Sequence, residues 1–411
     1  MSKLDKLLRE LCPDGVEYKK LGEIATISRG GNFQKKDFLT EGVPCIHYGQ
    51  IYTKYGLFTD KTFTFISEEC AKKQKRAQPN DIVMAVTSEN IEDVCKCLAW
   101  LGDEPVAVSG HSAIIHHDQN AKYLVYYFHS QMFFAQKRKL AHGTKVIEVT
   151  PDALVDITLP IPPAEIQCEI VRILDNFTNL TAELTAELTA RKKQYEYYRD
   201  TLLTFGVHRG GTFETKWRTL GEVCGLQAGK AIPAIEISPV QTKEYSVPCY
   251  GGNGLRGYVR TANQQGDKPL VGRQGALCGN VCYATGSYYT TEHAVVVSDK
   301  GFFNSRFLYH ALVHANLNQY KTAGAQPGLS VAKLEKVKIP VPEKEIQDRI
   351  AKVLDNFDAI CSDLNIGLPA EIEARKNQYE YYRDMLLTFA AADDIILTDR
   401  QTCLLYTSRC V

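Results

Sequence analysis

The chain is poor in the features that announce a catalyst, a secreted protein or a membrane protein. None of its apolar runs is long enough to span a bilayer, and no apolar core follows Lys3 and Lys6 to make a secretory signal. Its 13 cysteines show no repeated Cys-x-x-Cys spacing; Cys95-Lys96-Cys97 and Cys278 with Cys282 are the nearest approaches. An odd count without framework spacing predicts reduced thiols in a cytoplasmic protein, with no disulfide framework and no zinc site. Charge of one sign is also missing: 48 basic residues face 48 acidic ones. That balance argues against a protein that coats nucleic acid indiscriminately. Local clusters remain at Lys72-Lys73-Gln74-Lys75-Arg76, Lys137-Arg138-Lys139 and Arg191-Lys192-Lys193. Each fits a solvated face as well as an anion site.

Nucleotide and metal motifs are missing too. Gly225-Leu226-Gln227-Ala228-Gly229-Lys230 has the wrong spacing for a phosphate-binding loop and continues with Ala231, not Ser or Thr. Neither Asn-Pro-Pro-Tyr nor Asp-Pro-Pro-Tyr is present to hold a flipped adenine. Gly252-Asn253-Gly254-Leu255-Arg256-Gly257 matches GxGxxG literally. Tyr258-Val259 after it reads as strand, where a dinucleotide fold needs a helix. His111 and His293 begin predicted core strands, and a lone histidine there is more often a structural hydrogen-bonder than a catalyst.

What the chain has is a duplication. RKKQYEYYRDTLLTF at 191–205 recurs as RKNQYEYYRDMLLTF at 375–389, differing only at Lys193/Asn377 and Thr201/Met385. Upstream, Pro160-Ile161-Pro162, Glu165-Ile166-Gln167 and Leu174-Asp175-Asn176-Phe177 recur as Pro340-Val341-Pro342, Glu345-Ile346-Gln347 and Leu354-Asp355-Asn356-Phe357. Weaker echoes join Leu21-Gly22-Glu23-Ile24 to Leu220-Gly221-Glu222-Val223, and Val43-Pro44-Cys45 to Val247-Pro248-Cys249. His111–Ile115 lines up loosely with His293–Val297. Near-identical helical ends around dissimilar interiors suggest one frame presenting two different readers. With 411 residues there is length for two or three domains, each with its own core.

The interiors read as short β-rich runs between turns, such as Ile82–Val86, Ala113–Ile115 and Ala294–Val297, with helices around Tyr123–Lys139 and Ser305–Tyr320. The repeated segments carry a heptad seam: Ile170, Leu174, Phe177, Thr181, Leu184, Leu188, Arg191, Tyr195, Tyr198, Leu202 and Phe205. Such a helix is roughly 50 Å long. The second copy follows through Ile350, Leu354, Phe357, Cys361 and Leu364, meets a break at Gly367-Leu368-Pro369, then resumes at Ile372, Arg375, Tyr379, Tyr382, Leu386 and Phe389. The expected fold is α+β: two similar recognition domains joined by two long antiparallel coiled-coil helices, with pseudo-twofold symmetry. The expected boundaries are 1–158, 159–206, 207–338 and 339–392. A tail, 393–411, is read as non-native or disordered, and the helix Leu4–Cys12 is expected near the C-terminal helix.

Inside the first helix, Thr181-Ala182-Glu183-Leu184 is repeated at once as Thr185-Ala186-Glu187-Leu188. Each tetrapeptide adds about 6 Å and about 40° of rotation to a helix. Between two DNA readers, one unit shifts their spacing by roughly one to two base-pair steps of about 3.4 Å.

These paired blocks and the Thr-Ala-Glu-Leu spacer resemble the specificity subunit of type I restriction–modification enzymes, over residues 1 to about 395. The resemblance implies two target recognition domains that read the halves of a split sequence in double-stranded DNA. It implies no catalytic residues and no cofactor bound by this chain. It also implies two methyltransferase subunits that use S-adenosylmethionine, and two translocase–nuclease subunits that use ATP and magnesium. The alternative from another class is a coiled-coil adaptor whose variable domains bind proteins.

Candidate base and phosphate contacts are loop residues able to form hydrogen bonds. In the first domain they are Arg29, Gly30, Gly31, Asn32, Lys35, Lys36, Tyr48, Gln50, Ser88 and Asn90. In the second they are Tyr250, Gly252, Asn253, Gly254, Arg256, Arg273, Gln274 and Gly275, the last three within Val271–Ala276. Thr181, Leu184, Thr185 and Leu188 form the helical spacer. Phe177, Tyr195, Tyr198, Leu202, Phe357, Tyr379, Tyr382 and Leu386 are read as helix or partner interface, since tyrosines at heptad spacing more often pack than stack on bases.

Overall fold

The computed structural model describes residues 2–205, 215–275, 277–322, 327–363 and 366–389. Leu364, Ala276 and the tail from Ala390 onward lie outside them. The chain divides into two compact units, Met1–Glu183 with Glu373–Val411, and Leu184–Ile372. Both boundaries fall inside helices, Ala164–Leu203 and Leu368–Thr388.

Each unit holds two main sheets in matching order. In the first unit, Ala25–Arg29, Ser112–His117, Ile82–Ala85 and Cys97–Trp100 lie side by side, with Phe58–Thr59 outermost. In the second, Cys224–Ala228, Ala294–Asp299, Lys268–Gly272 and Val281–Ala284 repeat that order. The other sheets match as well. Val43–Ile46 runs parallel to Val106–Val108, pairing Cys45 with Ala107. Val247–Gly251 runs parallel to Ser287–Thr290, pairing Cys249 with Tyr289. The Leu-Gly-Glu echoes are one-turn helices, Leu21–Ile24 and Leu220–Val223, each feeding the first strand of its larger sheet.

The repeated motifs dock the frame on each variable domain. Gln167 is nearly fully buried and its carboxamide binds three ways. Its Oε1 accepts from the Asn120 amide at 3.1 Å, and its Nε2 donates to Pro162 O and Gln119 Oε1, both at 2.8 Å. Gln347 repeats this with the Asn304 amide at 2.7 Å, Pro342 O at 2.8 Å and Phe302 O at 3.0 Å. Asn120 and Asn304 in turn cap the helices Ala121–Phe128 and Ser305–His314, their side chains accepting backbone amides of the first turn. Two residues on, Lys122 donates to Asp175 at 2.7 Å, and Arg306 to Asp355 at 2.7 Å. The same carboxylates take Tyr126 Oη at 2.6 Å and His310 Nε2 at 2.8 Å. Burial holds the Tyr126 phenol protonated and drives His310 towards its neutral form, which then accepts from Tyr195 Oη at 3.1 Å.

Each unit is completed by the other copy's repeat. In the first, Phe177 stacks on Tyr382, with centroids 5.3 Å apart, and Leu386 and Leu387 enter the core around Tyr123, Tyr127 and Leu174. In the second, Tyr198 stacks on Phe357 at 5.4 Å, and Leu203 enters the core around Phe307, Leu308 and Leu354, with Tyr195 and Leu202 at its edge. The Tyr379 ring meets that of Tyr126 at a 60° tilt, with centroids 6.3 Å apart. Along the spacer, Leu184 is buried, Leu188 half-buried and Thr185 exposed, and Thr181 Oγ1 donates to Phe177 O at 2.9 Å.

Two expectations are corrected. The helix read over Tyr123–Lys139 is two helices, Ala121–Phe128 and Gln131–Leu140, because Ser130 caps the second through the Phe133 amide. The Ser305–Tyr320 stretch is a helix to His314 followed by a 3-10 turn, Leu317–Tyr320, with Asn316 left-handed between them. The break at Gly367–Pro369 is present: one helix ends at Ser362 and the next begins at Leu368. The helix Lys3–Leu11 puts Leu4 in the first unit's core, together with Leu386. All eleven described cysteines are free.

Candidate nucleic-acid interface

In the second unit, two loops twenty residues apart meet. Val247–Gly251 and Gly254–Val259 form a hairpin whose turn is Gly252-Asn253, so the literal GxGxxG stretch is a β-turn and strand. Arg273-Gln274-Gly275 leaves the end of Lys268–Gly272. A Cβ on Gly272 would overlap the Gly252 carbonyl oxygen, so only glycine lets the two loops touch. Between them opens a cleft of about 980 Å³, lined by Gly252, Asn253, Gly254, Arg256, Gln274 and Gly275 among others. Arg256 and Gln274 are exposed, and neither side chain has an ion-pair or hydrogen-bond partner among the described residues. Asn253 is exposed, and its Oδ1 accepts from Asn280 Nδ2 at 3.2 Å, which ties the turn to the next hairpin.

Two candidates of this unit sit elsewhere. Tyr250 is a packing residue: its ring meets Tyr288 edge-on at 5.9 Å in a small core with Leu270 and Val296. Arg273 is half-buried and does not line the cleft. Leu255, Leu277, Pro327 and Gly328 also line it and were not among the sequence candidates, and His293, read from the sequence as a structural strand-start histidine, lines it too.

In the first unit, Asn32 and Lys36 line an open depression of about 400 Å³ with Gln34, Lys73 and Gln74. The cluster Lys72–Arg76, ambiguous in the sequence, thus lies beside the Asn32–Lys36 loop. Lys35, Lys36, Lys72, Lys73, Lys75 and Arg76 are exposed or half-buried, and among the described residues none has an ion-pair partner.

The other first-unit candidates are held by the fold. Gln50 is buried, and its Oε1 accepts from the His47 amide and Thr64 Oγ1, both at 3.2 Å, so it is not offered to a ligand. Tyr48 is half-buried between the rings of His47 and His111, at 4.6 and 4.9 Å. Burial lowers the His47 pKa, and the nearby Lys35 cation lowers it further. Asn90 closes a turn through the Asp93 amide at 2.8 Å. Arg29 donates to Glu148 at 2.6 Å and to Gly110 O at 2.9 Å. Ser88 belongs to a two-stranded ribbon with Ile147–Glu148. A Cβ on Gly30 would overlap Ser109 O, and one on Gly229 would overlap Thr290 O, so these two glycines serve the same strand-end packing. That match aligns half-buried Gly31 with exposed Lys230, a second-unit cation that the repeat offset would have revealed.

Matching positions therefore carry different chemistry. After Val43–Ile46 the first unit turns into the short helix Tyr48–Thr53, whereas after Val247–Gly251 the second makes its glycine turn. If this cleft reads base edges, as the sequence resemblance implies, replacing Arg256 or Gln274 by alanine is expected to cost about 1–3 kcal/mol of discrimination at one base pair and leave the others unchanged. Competition binding with single-base-pair variants of the target measures this. Among the described residues no group of three His, Cys, Asp or Glu is placed to hold a metal, and no helix is long and apolar enough to cross a membrane.

A family model, the type I restriction modification DNA specificity domain, matches twice, at residues 13–191 and 214–374. The specificity subunit of the type I restriction enzyme EcoprrI from Escherichia coli is 37% identical over 381 residues, covering 89% of this chain and 92% of that subunit. The EcoR124I/EcoR124II specificity subunit, also from Escherichia coli, is 30% identical over 437 residues, covering 96% and 99%. Among solved structures, the S subunit of a type I restriction–modification system from M. genitalium has the same fold, with a TM-score of 0.59 at 15% identity over 90% of this chain and 96% of that one.

Proposed function

We propose that this chain, which belongs to the type I restriction modification DNA specificity family, binds a bipartite duplex target and directs adenine methylation and ATP-dependent cleavage by partner subunits. Members of this family are the specificity component of such enzymes and not their catalyst. The observation that carries the reading is one strand order built twice with different loops at matching positions. A frame of that kind supports two dissimilar half-sites, one for each of the readers proposed at 1–158 and 207–338. The partners are two methyltransferase subunits using S-adenosylmethionine and two translocase–nuclease subunits using ATP and magnesium, in the cytoplasm. The cleft residues Asn253, Arg256 and Gln274 supply base-edge donors and acceptors, and the first unit's lysines supply phosphate contacts.

Methylome sequencing of a methylation-free host that expresses the chain with its methyltransferase subunit tests this. The expected result is a split adenine-methylated motif that disappears when the chain is omitted. A motif that persists without the chain would overturn the reading and favour a protein-binding adaptor.

A further inference from the structure

The second unit's cleft has an apolar component that polar base readout does not use. Leu255 is 54% exposed and Leu277 is 59% exposed, and both line the cleft that holds Asn253, Arg256 and Gln274. A single exposed leucine is ordinary. Two of them in one cleft, with a guanidinium and a carboxamide that have no partner among the described residues, make a surface of mixed chemistry. The remaining wall is His293, Pro327 and glycines, Gly251, Gly252, Gly254, Gly275 and Gly328. Among the described residues the cleft offers a protein partner no Tyr, Trp or Phe, although buried aromatic residues of those kinds dominate protein interfaces. The base-pair edge in the major groove fits better. It presents donors and acceptors, and among the four bases only thymine adds an apolar group, its C5-methyl.

We infer that Leu255 and Leu277 contact thymine methyl groups in the half-site read by the second unit, and so select A·T pairs at those steps. This rests on the DNA-recognition reading above. Gln274 is suited to the adenine of such a pair while a leucine covers the methyl of its thymine. The first unit's depression is lined by Asn32, Gln34, Lys36, Asp37, Lys73 and Gln74, with no large apolar side chain. Of the two clefts, only the second unit's carries exposed leucines among the described residues, so the half-site read by the first unit serves as the internal control.

The test uses the chain assembled with its methyltransferase partner and duplexes carrying the methylome-defined motif, with each thymine replaced in turn by deoxyuridine. Binding is measured by fluorescence anisotropy. In one half-site, one or two deoxyuridines are expected to weaken binding about four-fold each, the worth of one buried methylene. In Leu255→Ala or Leu277→Ala, the same deoxyuridine is expected to cost nothing further, while Leu255→Met and Leu277→Met retain the penalty. Both positions are exposed, so thermal melting should be unchanged. Equal deoxyuridine penalties in the wild type and both alanine variants would overturn the inference, as would a second-unit half-site without an A·T pair. If the complex shows no sequence-specific binding at all, the recognition reading itself fails; specific binding that ignores the methyls sinks only the leucine assignment.

Discussion

With Thr185–Leu188 deleted from this chain, its complex with the methyltransferase partner is expected to leave the original target unmethylated and to methylate a target with the same two half-sites and a shorter gap. The tetrapeptide lies in the uninterrupted helix Ala164–Leu203, where Thr185 is exposed and Leu188 half-buried. Removing four residues takes out slightly more than one helical turn, about 6 Å, and rotates the C-terminal remainder of the helix by about 40°. Neither change touches the loops that line the two candidate sites, so the half-sites should stay as they are. On the original DNA only one reader can then be seated, and losing a whole half-site should weaken binding on the order of a thousand-fold. Methylome sequencing of the variant decides it. An unchanged gap would rule out the helix as a ruler.

Gln347→Ala is expected to destabilise the second unit by about 4 kcal/mol. The carboxamide is nearly fully buried and serves the Asn304 amide, Pro342 O and Phe302 O at once. Truncation leaves up to three buried backbone groups unpaired, at about 1–3 kcal/mol each. Gln347→Glu should do no better, since its carboxylate would face two carbonyl oxygens with nothing to donate. Chemical denaturation of the full chain, with hydrogen exchange at the start of Ser305–His314, reads the effect. Gln167→Ala should produce the matching loss at Ala121–Phe128. A near-neutral Gln347→Ala would mean that the clamp is not what seats the variable domain.

The frame was legible in the sequence because its determinants are periodic and repeated. The heptad seam foretold the long helix, and the Gly-Pro break foretold its interruption in the second copy. The paired echoes at Leu21/Leu220 and Cys45/Cys249 foretold one topology built twice. The split at Ser130 was hidden because apolar spacing runs straight through it, and a single capping hydroxyl decides the matter. The candidate sites were less legible. Asn253 and Arg256 belong to one sheet and Gln274 leaves another, and the close approach of Gly272 to Gly252, invisible in the sequence, brings them together. Gln50 read as a surface glutamine because its burial depends on Thr64, fourteen residues away. Tyr250 read as a DNA-contacting ring because its partner Tyr288 lies on another strand.

Beside the shared apolar cores, the polar contact between each variable domain and the frame repeats through matched side chains. Asparagine caps a helix and gives its amide to the frame's glutamine, and a cation two residues later meets the frame's aspartate. Asn120-Ala121-Lys122 and Asn304-Ser305-Arg306 are thus two pins of one connector, plugged into the same socket. A foreign reader that carries Asn-x-Lys or Asn-x-Arg at the head of its helix meets these requirements of the frame, whatever its loops say to DNA. The groups that attach a variable domain are thus separate from the loops in which the two units differ.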